Sequence, residues 1–179
     1  VHYSGLPCDM NEIVKLLRKK KINLIEDSAE TLGATYNKRQ TGSFGTGCFS
    51  FFPTKNITTT EGGMLTTNNK KHYDEIKKII AHGINKDQKK FFWYRVADLP
   101  GHNFRLPNHL AALGNSQLKK LNSFNFKRNA KIKEYLEGIK YCRNIKPYFL
   151  KKFSKIAYWM FAIRSKKRDK LITFLKKRN

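Results

Sequence analysis

Cys48-Phe49-Ser50-Phe51-Phe52-Pro53-Thr54-Lys55-Asn56, followed by Thr58-Thr59-Thr60-Glu61-Gly62-Gly63, is the stretch around which the chain is read. The apolar, β-prone run from Cys48 to Phe52 predicts a strand that stops at Pro53, because proline cannot donate to a sheet ladder. Lys55 then stands in a polar turn rich in hydroxyls and glycine. Most of the other lysines lie in charged or amphipathic runs, whereas this one sits where a strand gives way to a tight loop. In open α/β sheets, ligands bind beyond the carboxyl ends of strands. A lysine in that place can attack a carbonyl and form a Schiff base. Lysine amines are almost wholly protonated at neutral pH, so the role calls for burial or a nearby cation to favour the neutral form. Taken alone, the stretch fits an ordinary loop lysine equally well.

Upstream, Asp9-Met10-Asn11-Glu12 reads as a capping box that opens an amphipathic helix with Ile13, Val14, Leu16 and Leu17 on its apolar face. Arg18 to Lys21 close it, where cations suit the helix dipole. Residues 22–25 are expected to form a short buried strand ending at Glu26-Asp27-Ser28-Ala29-Glu30. Helix, strand and then carboxylates is how an α/β domain presents a site. Glu26 is read as a cap of the next helix, and Asp27 as the stronger candidate for chemistry. Asn37-Lys38 marks a hairpin tip among the glycines of residues 33–47.

Downstream, residues 64–67 predict a strand and residues 69–81 a helix carrying Tyr73, Ile76, Ile79 and Ile80, stopped by Gly83. Residues 84–100 have no period and are read as a loop, a lid or an interface. Gly101 to Pro107 forms a second polar turn. From Pro107 one helix is expected through Leu118 and a second from about residue 123 to 141. Pro147 is the candidate domain boundary. Residues 156–163 read as a strand and 167–177 as a basic helix.

The 179 residues suit one domain, or one domain and part of another, and contain no apolar run long enough to span a membrane. The chain starts without Met or a signal-peptide pattern, which suggests a piece of something longer. Cys8, Cys48 and Cys142 are too widely spaced for a metal or disulfide framework, in keeping with a reducing, cytoplasmic setting. Net charge is +24. Residues 1–115 hold 17 basic and 10 acidic side chains (+7), and residues 116–179 hold 20 and 3 (+17). Such a tail suits polyanions. Yet Lys outnumbers Arg 28 to 9 and no nucleic-acid-binding signature is present, which argues against nucleic acid as a partner.

Five runs in order resemble one family. They are Glu26-Asp27-Ser28-Ala29-Glu30; Gly42-Ser43-Phe44-Gly45; Phe49 to Asn56; Glu61-Gly62-Gly63-Met64; and Gly101-His102-Asn103-Phe104-Arg105-Leu106. Together they resemble the DegT/DnrJ/StrS family of pyridoxal-phosphate-dependent sugar aminotransferases, which have the aspartate aminotransferase fold. The Ala29-Glu30 pair and the Thr-rich turn look closest to its perosamine-synthase-like branch. The resemblance implies an α/β chain, with residues 1–146 part of the large cofactor-binding domain and 147–179 the start of a small C-terminal α+β domain.

The resemblance also implies roles. Lys55 bonds the cofactor, pyridoxal 5'-phosphate, and shuttles a proton to and from the substrate carbon. Asp27 pairs with the pyridine nitrogen, which keeps the ring an electron sink. Glu30, where many members have Gln, lies beside the phenolic oxygen, and Ser50 binds the phosphate. Asn103 reaches the phosphate of the neighbouring subunit's cofactor, which implies a homodimer. Lys55, rather than the histidine of a dehydrating branch, favours transamination from an amino acid, glutamate by expectation, to a nucleotide-linked keto sugar. Members are considerably longer, so half of the cofactor pocket is expected to lie outside this chain. Thr60 departs from a common glycine. A second reading stays open, in which the chain is a catalytically inactive truncated homologue serving as a basic polyanion-binding module.

Overall fold

The Lys55 stretch leaves the central strand of a three-stranded sheet. The computed structural model describes residues 1–85, 93, 96–148 and 154–178. In chain order the elements are α1 (Met10–Lys20), β1 (Ile25–Asp27), β2 (Thr35–Tyr36), β3 (Arg39–Gln40), β4 (Thr46–Ser50), β5 (Gly63–Thr66) and α2 (Lys70–Ile79). They continue with α3 (Asn108–Ile139), β6 (Ile145–Pro147), β7 (Ser154–Lys155), β8 (Ile163–Ser165) and α4 (Arg168–Lys176).

The sheet order is β1-β4-β5. β1 runs parallel to β4 with Asp27 opposite Cys48, and β4 runs antiparallel to β5 with Phe49 opposite Met64. Because side chains alternate along a strand, Asp27, Cys48 and Ser50 share one face of the sheet, with Leu65 beside Cys48. Phe49, Met64 and Thr66 share the other. On that second face a cavity of about 350 Å³ separates Phe49 and Phe51 from Ala111, Gly114 and Leu118 of α3.

A second small sheet, ordered β3-β2-β7, ties the hairpin to residues 154–155. Asn37 and Lys38 form the expected hairpin tip, both in the left-handed region with φ of 49° and 65°, as a two-residue hairpin turn of the primed kind requires. β6 pairs with β8, and α4 follows directly.

Several local expectations are corrected. The capping box does not form: Asp9 makes no side-chain cap bond, and its Oδ1 instead accepts from the Tyr36 hydroxyl at 2.7 Å. The first strand starts at Ile25, not Ile22. Lys21 takes a left-handed conformation that closes α1, and Ile22 N–H returns to the Leu17 carbonyl, so residues 22–24 are spent turning the chain.

The two expected helices after Pro107 are one 32-residue helix. Asn122 and Ser123 are weak helix formers rather than breakers, and tertiary contacts on Asn125 hold the middle of the helix. Residues 156–162 are not a strand; the carbonyls of residues 156–159 are taken by side chains. Asn129 donates to Ile156 O, Asn56 to Ala157 O and Tyr158 O, and Arg128 to Trp159 O. Only from Ile163 does a ladder resume. Most of the expected 84–100 loop lies outside the described residues. No described helix is long and apolar enough to cross a membrane.

Candidate active site

Glu26 anchors the frame beneath the site. It is 3% exposed, and its carboxylate accepts from the amides of Gly42 (2.9 Å), Phe44 (2.7 Å) and Gly45 (2.8 Å). His2 lies 3.1 Å away through Nε2. The Cys8 amide donates to His2 Nδ1 at 3.0 Å, so Nε2 carries the hydrogen and donates to Glu26. Burial pushes the Glu26 carboxyl up, but His2 and the three amides prevail and hold it below its ordinary 4.5. Glu26 is therefore a tie between the 42–45 loop and the N-terminal turn, not the helix cap expected of it.

Asp27, the next residue, points to the opposite face and is exposed at the carboxyl end of β1. Its Oδ1 accepts from the Ala29 amide at 3.1 Å, which fixes the carboxylate against its own turn. Cys48 stands beside it on β4, where burial, and then the charge of Asp27, raise the thiol's pKa. Ser50 ends the same strand, two residues on and on the same face, with Phe52 N–H pointing at its Oγ (3.3 Å). The ends of two adjacent parallel strands thus present a carboxylate and a hydroxyl together. Glu30 is half-buried, and its Oε2 accepts from the Ser4 amide at 2.7 Å, which ties the N-terminal turn to the loop after β1.

Lys55 sits on the turn leaving β4, half-buried, with its N–H closing on Phe52 O at 3.0 Å. Its ammonium lies 4.0 Å from the centre of the Trp159 ring. The group that its ammonium meets is thus an aromatic face rather than a second cation.

The turn is locked by its neighbours. Asn56 is buried, and its Nδ2 donates to Asn125 Oδ1 on α3 at 2.7 Å and to the carbonyls of residues 157 and 158. Asn125 in turn donates to Leu32 O at 3.0 Å. Gly33 makes this possible: its φ is +87°, and a Cβ there would lie 2.6 Å from Asn125 Nδ2. Trp159 Nε1–H donates to Thr54 O at 2.8 Å.

Asn103 comes from a different segment of the chain. It lies exposed on the segment between α2 and α3, bridged to Ala81, and its Oδ1 accepts from Arg105 Nε at 3.0 Å. The structure therefore brings Asp27, Ser50 and Lys55 to the carboxyl end of one sheet and leaves Asn103 with α2. Sequence reasoning missed Trp159, Asn56 and Asn125. Trp159 lay inside an assumed strand, and nothing local to Asn125 links it to a loop 69 residues earlier.

An amine, a carboxylate and a hydroxyl grouped at the strand ends are the donor set that a phosphorylated pyridine aldehyde requires: a nucleophile for the aldehyde, an anion for the ring nitrogen and a hydrogen-bond donor for the phosphate. The fold is that of the pyridoxal-phosphate-dependent transferases. The family model of the DegT/DnrJ/EryC1/StrS aminotransferase family matches residues 1–179, and the chain belongs to that family. It is 37% identical to protein MJ1066 of Methanocaldococcus jannaschii, over 100% of this chain and 50% of that protein. It is 40% identical over 125 residues to the GDP-perosamine synthase of Escherichia coli O157:H7, covering 69% of this chain and 33% of the synthase. Among solved structures it resembles Helicobacter pylori PseC, an aminotransferase involved in the biosynthesis of pseudoaminic acid. The TM-score is 0.90 at 31% identity, over 98% of this chain and 48% of PseC. The chain spans half or less of the length of these relatives.

Proposed function

We propose that this chain supplies the lysine-bearing part of a pyridoxal-phosphate-dependent active site that moves an amino group from an amino acid, with glutamate the expected donor, to a nucleotide-linked keto sugar. One observation carries the reading. Asp27 and Ser50 end adjacent parallel strands on one face, and Lys55 follows on the turn leaving the second strand.

When bound, the cofactor supplies an electrophilic aldehyde carbon and an electron-withdrawing ring. Lys55 would hold the cofactor's aldehyde carbon through Nζ, with water as the leaving group, and its freed amine would carry the proton to and from the reacting substrate carbon. Asp27 holds a proton on the ring nitrogen through its carboxylate. Ser50 donates to the phosphate. Glu30, already fixed by the Ser4 amide, would serve the phenolic oxygen. Asn103, from another segment, serves the phosphate site of a second subunit in a homodimer. The perosamine-synthase relative supports a nucleotide sugar as the amino acceptor.

The reading is tested by incubating the purified chain with pyridoxal phosphate, reducing with borohydride, digesting, and locating the added mass. Label confined to Lys55, and lost in Lys55→Ala, supports it. Label scattered over many lysines, or none, overturns it for this chain. Binding to unrelated nucleic acids that survives Lys55→Ala and weakens steeply with salt would instead mark a polyanion-binding module.

A further inference from the structure

The charge of Lys55 meets an aromatic face. Among the described residues its Nζ has no carboxylate or carbonyl partner; the group it meets is the indole of Trp159, 4.0 Å from the ring centre. The indole is itself fixed to the same turn, because its Nε1–H donates to Thr54 O, one residue before Lys55. The backbone around Trp159 is held as well. Asn56 donates to the two preceding carbonyls, Arg128 reaches Trp159 O at 3.5 Å, and the Ala157 amide donates to Gly5 O at 3.2 Å. Gly5 allows that approach: its φ is +91°, and a Cβ there would lie 2.3 Å from Ala157 O. Lysine and ring therefore belong to one rigid unit, built from segments a hundred residues apart.

We propose that Trp159 is the positioning residue for Lys55, its indole face holding the ammonium form of the side chain whenever the amine is free. The negative face of an indole attracts a cation and is indifferent to a neutral amine. It therefore fixes Lys55 in its proton-carrying state through the ring face alone. An ordinary packing role would call only for a bulky side chain at residue 159. This role calls for an aromatic face. The inference rests on the reading of Lys55 as the proton carrier, but the pairing itself can be measured without any cofactor.

The experiment is competitive acetylation of the 179-residue chain with acetic anhydride across a pH series, read at Lys55 by mass spectrometry against the other lysines. In Trp159→Leu the pH midpoint of Lys55 labelling is expected about half to one pH unit lower than in the native chain. In Trp159→Phe, which keeps a ring but loses the bond to Thr54 O, it is expected to fall between the two. A change in the labelling plateau with no change in midpoint would overturn the proposal and leave Trp159 a steric shield.

Should Trp159→Leu not fold, the native protein carries the test. With Trp93 replaced by Phe, the remaining indole emission is expected to step with pH at the Lys55 midpoint, and to lose that step in Lys55→Gln. An emission that ignores Lys55 would overturn the pairing. Neither readout depends on pyridoxal phosphate. A failed cofactor trap with an intact midpoint shift would therefore sink the proposed function and spare the pairing, and the reverse result would do the opposite.

Discussion

Glu26 and Asp27 are adjacent carboxylates on β1 whose surroundings have almost nothing in common. Glu26 turns inward to three amides and an imidazole, all supplied by this chain. Asp27 turns outward to a face where Ile25 is 71% and Leu65 45% exposed. Strand alternation is the cause: one residue of offset sends one carboxylate into the frame and the other to the open face. The chain completes with its own residues the frame around Glu26, and leaves open the face that carries Asp27. That division matches a chain spanning about half the length of its relatives.

The contrast has a scale. Replacing Glu26 by Ala strands the His2 Nε2–H and three backbone amides, so it is expected to cost about 3–5 kcal/mol, read as a lower midpoint in urea unfolding. A smaller effect is the pH dependence of the native chain. The folded Glu26 carboxyl sits below its ordinary 4.5, so its contribution to stability is full above about pH 4.5. It is lost as the pH falls through the depressed folded value. Acid unfolding followed by circular dichroism should show that slope, and Glu26→Gln should flatten it. The smallest expected change in stability belongs to Asp27→Asn, within about 0.5 kcal/mol, because Asn keeps an acceptor for the Ala29 amide. The same variant should nevertheless reduce pyridoxal phosphate labelling of Lys55. If Asp27→Asn destabilised the chain as much as Glu26→Ala, the division between frame and site would be wrong.

What was legible in the sequence follows the same line. The places of Asp27 at a strand end and of Lys55 on a turn were readable because strand ends and turns are written locally, in Pro53, in the apolar run before it and in the acidic run after Ile25, whereas Ser50 stood out only through the family resemblance. The hairpin tip at Asn37-Lys38 was readable for the same reason. Glu26 was misread because the amides it satisfies lie 16 to 19 residues downstream and leave no periodic trace. Asp9 looked like a cap because its spacing to Glu12 is right, but the Tyr36 hydroxyl competed for the same oxygen and won. The continuous α3 was hidden by Asn122 and Ser123, whose low propensity is overridden by packing around Asn125. Trp159 could not be assigned because its significance lies entirely in a contact across more than a hundred residues.

The lock on the Lys55 turn has a consequence for synthesis. Thr54 and Trp159 are 105 residues apart, and Asn56 reaches carbonyls 101 and 102 residues further on. At roughly 5–20 residues per second, a ribosome that has just delivered Lys55 needs about 5–20 seconds more to deliver its indole partner. Over that interval β1, β4 and β5 can already pair, while the reactive turn has none of its distant restraints. The site is thus assembled long after its lysine is made, and a nascent chain stalled before residue 157 carries the lysine without the structure that governs it.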